Sequence, residues 1–121
     1  GLISDCIVAG GMSDGSYKLG MLEVEVNKGI ARTQSGSLAG STLTLNKAVM
    51  NLVKLANIST LDAVNMASIT PAKFLGVDKK LGSIAKNKRP CLTIIDNNSY
   101  VQATIVDGEW VFKSETLPSK F

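Results

Sequence analysis

The hydrophobic spacing of this chain changes twice along its length, and that change bounds the folds open to it. Leu22, Val24 and Val26 alternate with Glu23 and Glu25, the period of two of a strand with one greasy and one charged face. Asn27-Lys28-Gly29 supplies a turn and Ile30 begins a return strand, so a hairpin is expected at about 16–33. The period then lengthens. Leu45, Ala48, Val49, Leu52, Val53 and Ala56 recur at helical spacing, with Asn46, Lys47, Asn51 and Lys54 on the opposite side and Asn57 as the stop. Ser59 followed by Asp62 is the acidic form of a capping box for a second helix through Ala63, Val64, Met66 and Ala67. Thr70-Pro71 suits the cap and first position of a third, ended by Gly76. The period returns to strands at Leu92–Ile95, Val101–Val106 and Trp110–Phe112, with Asp107-Gly108 as a tight turn between the last two. The class is α/β. A ribbon of two or three strands is marginal by itself, so these strands are expected to belong to a larger sheet completed by other sequence.

The beginning of the chain carries a second constraint. Leu2 to Ser4 reads as a short buried strand with Asp5 at its end, followed by an irregular loop over Cys6 to Gly15. Opening on Gly1 and passing straight into an apolar stretch reads as a cut through a larger protein.

Composition removes several functions. The chain has no histidine, so it has no Ser/His/Asp triad, no Cys/His pair and no imidazole ligands for a metal. A net charge of +3 is modest, and the densest basic stretch, Lys79, Lys80, Lys86, Lys88 and Arg89, has no interleaved aromatic on which a base would stack. It reads as a solvated loop, and nucleic acid is not the expected partner. No apolar run approaches the roughly 20 residues that span a bilayer, and no signal sequence opens the chain. Cys6 and Cys91 show neither metal spacing nor a disulfide framework, which fits a reducing cytoplasm.

Two places are candidates for chemistry. Asp5 is a carboxylate at the end of an expected strand, where barrels and open α/β sheets place catalytic groups; the competing reading is a turn former or helix cap. Leu38-Ala39-Gly40-Ser41 is a small-residue loop ahead of a helix, which exposes backbone N–H groups and lets a ligand approach; the competing reading is a loop that needs glycine to reach the helix. Gly10-Gly11 lacks the lysine and helix of a phosphate loop. Glu23 and Glu25 read as solvated, and Trp110 and Phe112 as sheet packing.

The order of motifs then matters more than any one residue. Leu2-Ile3-Ser4-Asp5, Gly11 to Gly15, Leu19-Gly20-Met21-Leu22-Glu23-Val24 and Ser37-Leu38-Ala39-Gly40-Ser41-Thr42-Leu43 come first. Asp62 to Ser68 with Thr70-Pro71-Ala72, then Leu75-Gly76-Val77 and Leu81-Gly82-Ser83-Ile84, complete the series. Together they resemble the last part of the N-acetylglucosamine-6-phosphate deacetylases of the amidohydrolase superfamily, over almost the whole chain. The resemblance implies a metal-dependent (β/α)8 barrel with a small β-sandwich built from both chain ends. Residues 1–76 would be the last part of the catalytic barrel, and 77–121 the C-terminal strands of the sandwich. It implies amino-sugar catabolism, with hydrolysis of N-acetyl-D-glucosamine 6-phosphate to D-glucosamine 6-phosphate and acetate. A divalent metal, of the zinc or iron type, would be held by a glutamate and two histidines upstream, and none by this segment. Asp5 matches the catalytic carboxylate, while Leu38, Ala39 and Gly40 match the loop against the sugar. The phosphate would be gripped by residues upstream and by the partner subunit of a homodimer. Two positions depart from the pattern: Cys6 stands where a small residue is common, and Pro90-Cys91 where a small residue and an aspartate usually precede the first terminal strand. The competing readings are another amidohydrolase acting on a cyclic amide and a self-contained binding domain. If the segment reading holds, the isolated chain self-associates and binds a hydrophobic dye, measured by light scattering and dye fluorescence; a compact monomer that ignores the dye favours the self-contained domain.

Overall fold

A computed structural model describes residues 1–118. Its contacts divide the chain into two units, one formed by Ile3–Ala48 and the other by Gly1–Leu2 with the chain from Val49 onward.

The first unit is built on an antiparallel meander of β1 (Gly15–Leu19), β2 (Leu22–Asn27) and β3 (Ile30–Thr33), in that order. The alternation read from Leu22 to Val26 is realised: Val24 and Val26 are buried while Glu23 and Glu25 face solvent. The meander has one strand more than the expected hairpin. β1 pairs Tyr17 with Val24, and Leu19 with Leu22 across a two-residue turn at Gly20-Met21. Tyr17 and Leu19 are too short an apolar pattern to announce a strand by themselves, and they pack only because β2 lies beside them. With Ile7, Ala39, Ala9 and Ala31 they close a small core around Val24.

The expected buried strand at Leu2–Ser4 does not form. These residues are in no ladder, and Ile3 is 85% exposed. A strand needs a neighbour for its backbone groups, and here Leu2 N–H donates to Met66 O at 2.7 Å instead. Strand-like pairing begins one residue after Asp5, where Cys6 makes a parallel bridge to Ser41.

α1 (Leu45–Ala56), which belongs to the second unit from Val49 onward, runs over the expected span, and Asn57 takes φ +53 where it stops. α2 (Thr60–Ala67) has the expected cap: Ser59 Oγ accepts from Asp62 N–H at 3.1 Å. The Ser59 hydroxyl also donates to Asp62 Oδ2 at 2.6 Å, so the pair closes through side chains and not through the Ser59 N–H. α3 (Ile69–Phe74) starts before the expected Thr70-Pro71 cap, directly after the break at Ser68. Pro71 sits in its first turn, where a missing N–H costs nothing. β4 (Leu92–Ile95), β5 (Val101–Val106) and β6 (Glu109–Lys113) form a second antiparallel meander. Its last turn has Asp107 at φ +52 and Gly108 at φ +88, the left-handed pair that a two-residue hairpin favours. Trp110 and Phe112, expected as sheet packing, are 41% and 48% exposed, and Trp110 carries the Lys113 ammonium 4.1 Å from its ring centroid.

The basic stretch is not a freely solvated loop. Lys88 Nζ donates to Asp78 O, to Leu81 O and, at 2.7 Å, to Ser83 Oγ, so an ammonium organises the turn over 78–83. Arg89 forks onto Asp107, with Nε to Oδ1 at 2.6 Å, which holds the Asp107 carboxyl below the usual carboxylate range. Gly108 N–H donates to Pro90 O at 3.0 Å, so the divergent Pro90-Cys91 junction is a formed one.

Among the described residues the buried apolar set is small side chains: Ala9, Val24, Val26, Ala31, Ala48, Val49, Ala63, Ala72 and Ala103. Large apolar groups lie outside it, including Met21, Phe74, Ile84 and Leu55. No helix among the described residues is long and apolar enough to cross a membrane.

Gly82 tests the packing of α3. It sits at φ +87, and a Cβ there would stand 2.8 Å from Ala72 Cβ and 2.9 Å from Ile69 Cα. Gly76, at φ +69, has nothing within 4 Å. Gly76→Ala is expected to cost about 1 kcal/mol from backbone strain alone, and Gly82→Ala roughly 2–3 kcal/mol, because overlap with helix backbone adds to it. Denaturant melts of both variants check the difference.

Candidate functional site

The candidate residues of the sequence fall together in the first unit. The segment Leu38–Ser41 lies between β3 and the stretch that follows Asp5, hydrogen-bonded on both sides. Toward β3, Ala39 N–H donates to Ala31 O at 3.0 Å and Leu38 bridges Arg32. On the other side, Ser41 N–H donates to Asp5 O at 3.1 Å, and Ile7 N–H to Ser41 O at 2.8 Å. Gly40 is thus the residue between two fixed neighbours.

Its conformation is one that glycine alone adopts easily, with φ +109. The space a side chain would need is also taken. A Cβ on Gly40 would meet Ile7 Cγ2 at 2.6 Å and lie 4.0 Å from Asp5 Oδ2. Ile7 is β-branched and packs against the meander core, so that methyl group has little freedom to move. Asp5 itself is exposed and takes φ +49, a left-handed conformation that aspartate tolerates better than most residues. Leu38 is 69% exposed, Ala39 half-buried.

Beside Gly40 is a shallow depression of about 400 Å³, lined by Gly29, Ile30 and Ala31 on one wall and by Gly40 to Leu43 and Lys47 on the other. Sequence reasoning missed three residues that shape this region. Ile7 fills the space over Gly40, Thr42 Oγ1 donates to Gly29 O at 2.5 Å, and Asp14 Oδ1 accepts from Gly29 N–H at 3.1 Å. Asp14-Gly15 signalled a turn, and nothing local signals that Asp14 grips a backbone 15 residues away. Cys6 is exposed, with its Sγ 3.6 Å from Ile7 O.

No three or more His, Cys, Asp or Glu side chains converge as a metal site among the described residues.

Comparison with known proteins places this architecture. The amidohydrolase family model matches residues 13–111, and the chain belongs to the amidohydrolase family. Its relatives narrow the class. It is 44% identical over 108 residues to an N-acetylgalactosamine-6-phosphate deacetylase of Escherichia coli O157:H7, covering 89% of this chain and 29% of that protein. It is 40% identical over 117 residues to the N-acetylglucosamine-6-phosphate deacetylase of Vibrio furnissii, covering 97% and 29%. The crystal structure of N-acetylglucosamine-6-phosphate deacetylase from Pasteurella multocida superimposes with a TM-score of 0.83 at 34% identity, over 89% of this chain and 28% of that one. The chain spans less than a third of each of these proteins, and 65% of a shorter Escherichia coli K12 relative that is also 44% identical. Asp5 precedes the span matched by the family model.

Gly40→Ala is expected to lower the stability of the chain by roughly 2–3 kcal/mol, since it combines an unfavourable backbone conformation with overlap on Ile7. Adding Ile7→Ala should recover only the overlap part. A double-mutant cycle from chemical denaturation separates the two, and additive losses would mean that Ile7 does not crowd Gly40.

Proposed function

We propose that this chain is the C-terminal segment of a metal-dependent deacetylase that hydrolyses an N-acetylhexosamine 6-phosphate to the free amino-sugar phosphate and acetate. Residues 1–76 are read as the closing part of its barrel, and 77–121 as sandwich strands; 119–121 lie outside the described residues. The observation that carries the reading is the meeting of Asp5 with the Leu38–Gly40 loop: Ser41 N–H donates to the Asp5 carbonyl at 3.1 Å, and Asp5 Oδ2 lies 4.0 Å from where a Gly40 Cβ would stand. The matched relatives support it, since each named one removes an acetyl group from such a sugar phosphate. So does the small-residue core, which leaves large apolar groups for other sequence to cover.

In this reading the metal is held by residues outside this chain, because the chain has no histidine and its described residues gather no ligand group. The part of Asp5 is proton transfer. Its carboxylate takes a proton from the water that attacks the acetyl carbonyl, and delivers it to the nitrogen as the C–N bond breaks, so that a neutral amine and acetic acid form, the acid then passing its remaining proton to solvent or to the amine and leaving as acetate. Leu38, Ala39 and Gly40 line the sugar, and bulk at Gly40 would hold it away. N-acetyl-D-glucosamine 6-phosphate is the favoured substrate. The galactose epimer is the second reading, favoured by the 44% identity to a galactosamine enzyme.

The 121-residue chain is expected to release no acetate with any divalent metal, while the full-length enzyme does so. Asp5→Asn in that enzyme should reduce turnover by about 10³-fold or more with KM little changed, as for loss of an essential general base. An acetate-release assay on both epimers reads all of this; retained turnover in Asp5→Asn removes its role.

A further inference from the structure

We propose that Thr42 is a positioning residue for the Leu38–Gly40 loop, acting through a two-sided clamp on the Gly29 backbone whose other jaw is Asp14. The kinetic consequence rests on the deacetylase reading above; the structural one does not. The clamp is made of side chains that come from separate parts of the first unit. Gly29 sits at the β2–β3 turn with Lys28, both at positive φ, and such a turn leaves backbone groups pointing away from the ladder. Asp14 takes the donors: Oδ2 accepts from Lys28 N–H at 2.5 Å and Oδ1 from Gly29 N–H at 3.1 Å. Thr42 takes the acceptor, its hydroxyl donating to Gly29 O at 2.5 Å.

The depression beside Gly40 has Gly29, Ile30 and Ala31 for one wall and Gly40 to Leu43 for the other, so the Thr42 hydroxyl ties its walls together. The same segment is held at Ala39 by Ala31 and at Ser41 by Asp5 and Ile7. Thr42 closes that series on the helix side of Gly40, and Leu43 N–H donates to Ser41 Oγ at 2.9 Å, completing a short rigid lead into α1. Asp14 makes the anchor firm: a turn held only by its strands could follow Thr42, whereas one gripped by a carboxylate holds Thr42 in place. Asp14 and Thr42 therefore set where the Gly40 backbone lies relative to Asp5.

The test compares Thr42→Val, which keeps shape and loses the hydroxyl, with Thr42→Ser, which keeps it. In the full-length enzyme Thr42→Val should raise KM by about three- to tenfold, the size of one lost hydrogen bond, with kcat within about twofold. Thr42→Ser should stay within about twofold of the parent in both, since its donor survives. A fall in kcat at unchanged KM, or equal damage from both substitutions, would mean a structural tether only and overturn the proposal. In the full-length enzyme, amide exchange at Ala39 and Ser41 should quicken in Thr42→Val and not in Thr42→Ser; unchanged exchange also overturns it. If Thr42→Val does not fold, Asp14→Asn, which loosens the opposite jaw, must raise KM and quicken the same amides, and its failure to do so is decisive. If the full-length enzyme releases no acetate at all, the deacetylase reading falls and the exchange experiment alone judges the clamp.

Discussion

The backbone of Leu38–Ser41 is hydrogen-bonded to different partners on its two sides, and the candidate site exists because of it. Ala31 holds one side, Asp5 and Ile7 the other. Each such bond adds only about 0.5–1.5 kcal/mol net. Their geometric effect is larger, because they bring a residue near the chain start within reach of a loop more than 30 positions later. Once both neighbours of Gly40 are fixed, its φ of +109 and the Ile7 methyl above it leave room for a hydrogen and nothing more.

Little of this rests on a deep core. Buried apolar side chains among the described residues are alanine and valine, and the first unit closes around Val24 alone as a fully buried larger group. Polar clamps do much of the shaping instead. Asp14 grips the β2–β3 turn, Lys88 collects oxygens from Asp78, Leu81 and Ser83, and Asp96 accepts from Asn98 N–H, Tyr100 N–H and Gln102 at the β4–β5 turn. Hydrogen bonds to charged groups are stronger than neutral ones, which suits them to loops that a thin core cannot order. The Arg89–Asp107 fork does the same for the β5–β6 turn; at half exposure it is a surface pair, weakened by salt and by acid that protonates Asp107.

Membership of the amidohydrolase family sets the chemistry against which these features make sense. Asp5 takes a left-handed backbone, and strand-like pairing starts at the next residue, Cys6. The Leu38–Gly40 loop beside it carries no charged side chain, and the matched relatives are named for two epimers of one sugar.

Sequence by itself determined whatever depends on near neighbours. The helix over Leu45–Ala56, the Ser59–Asp62 cap, the alternation in β2 and the Asp107-Gly108 turn were legible, because each follows from spacing within one or two turns of chain. The candidate pairing of Asp5 with Leu38–Gly40 came from the resemblance of ordered motifs. Where partners are remote, local reading failed. Leu2–Ser4 looked like a strand and found no ladder, the basic stretch looked solvated yet commits Lys88 to backbone oxygens and Arg89 to Asp107, and β1 was passed over until β2 covered it. Asp14 and Thr42 were ordinary turn and loop residues on paper. Only the tertiary structure made them two jaws on Gly29, since a hydrogen-bond donor or acceptor is silent in sequence until folding decides what stands opposite it.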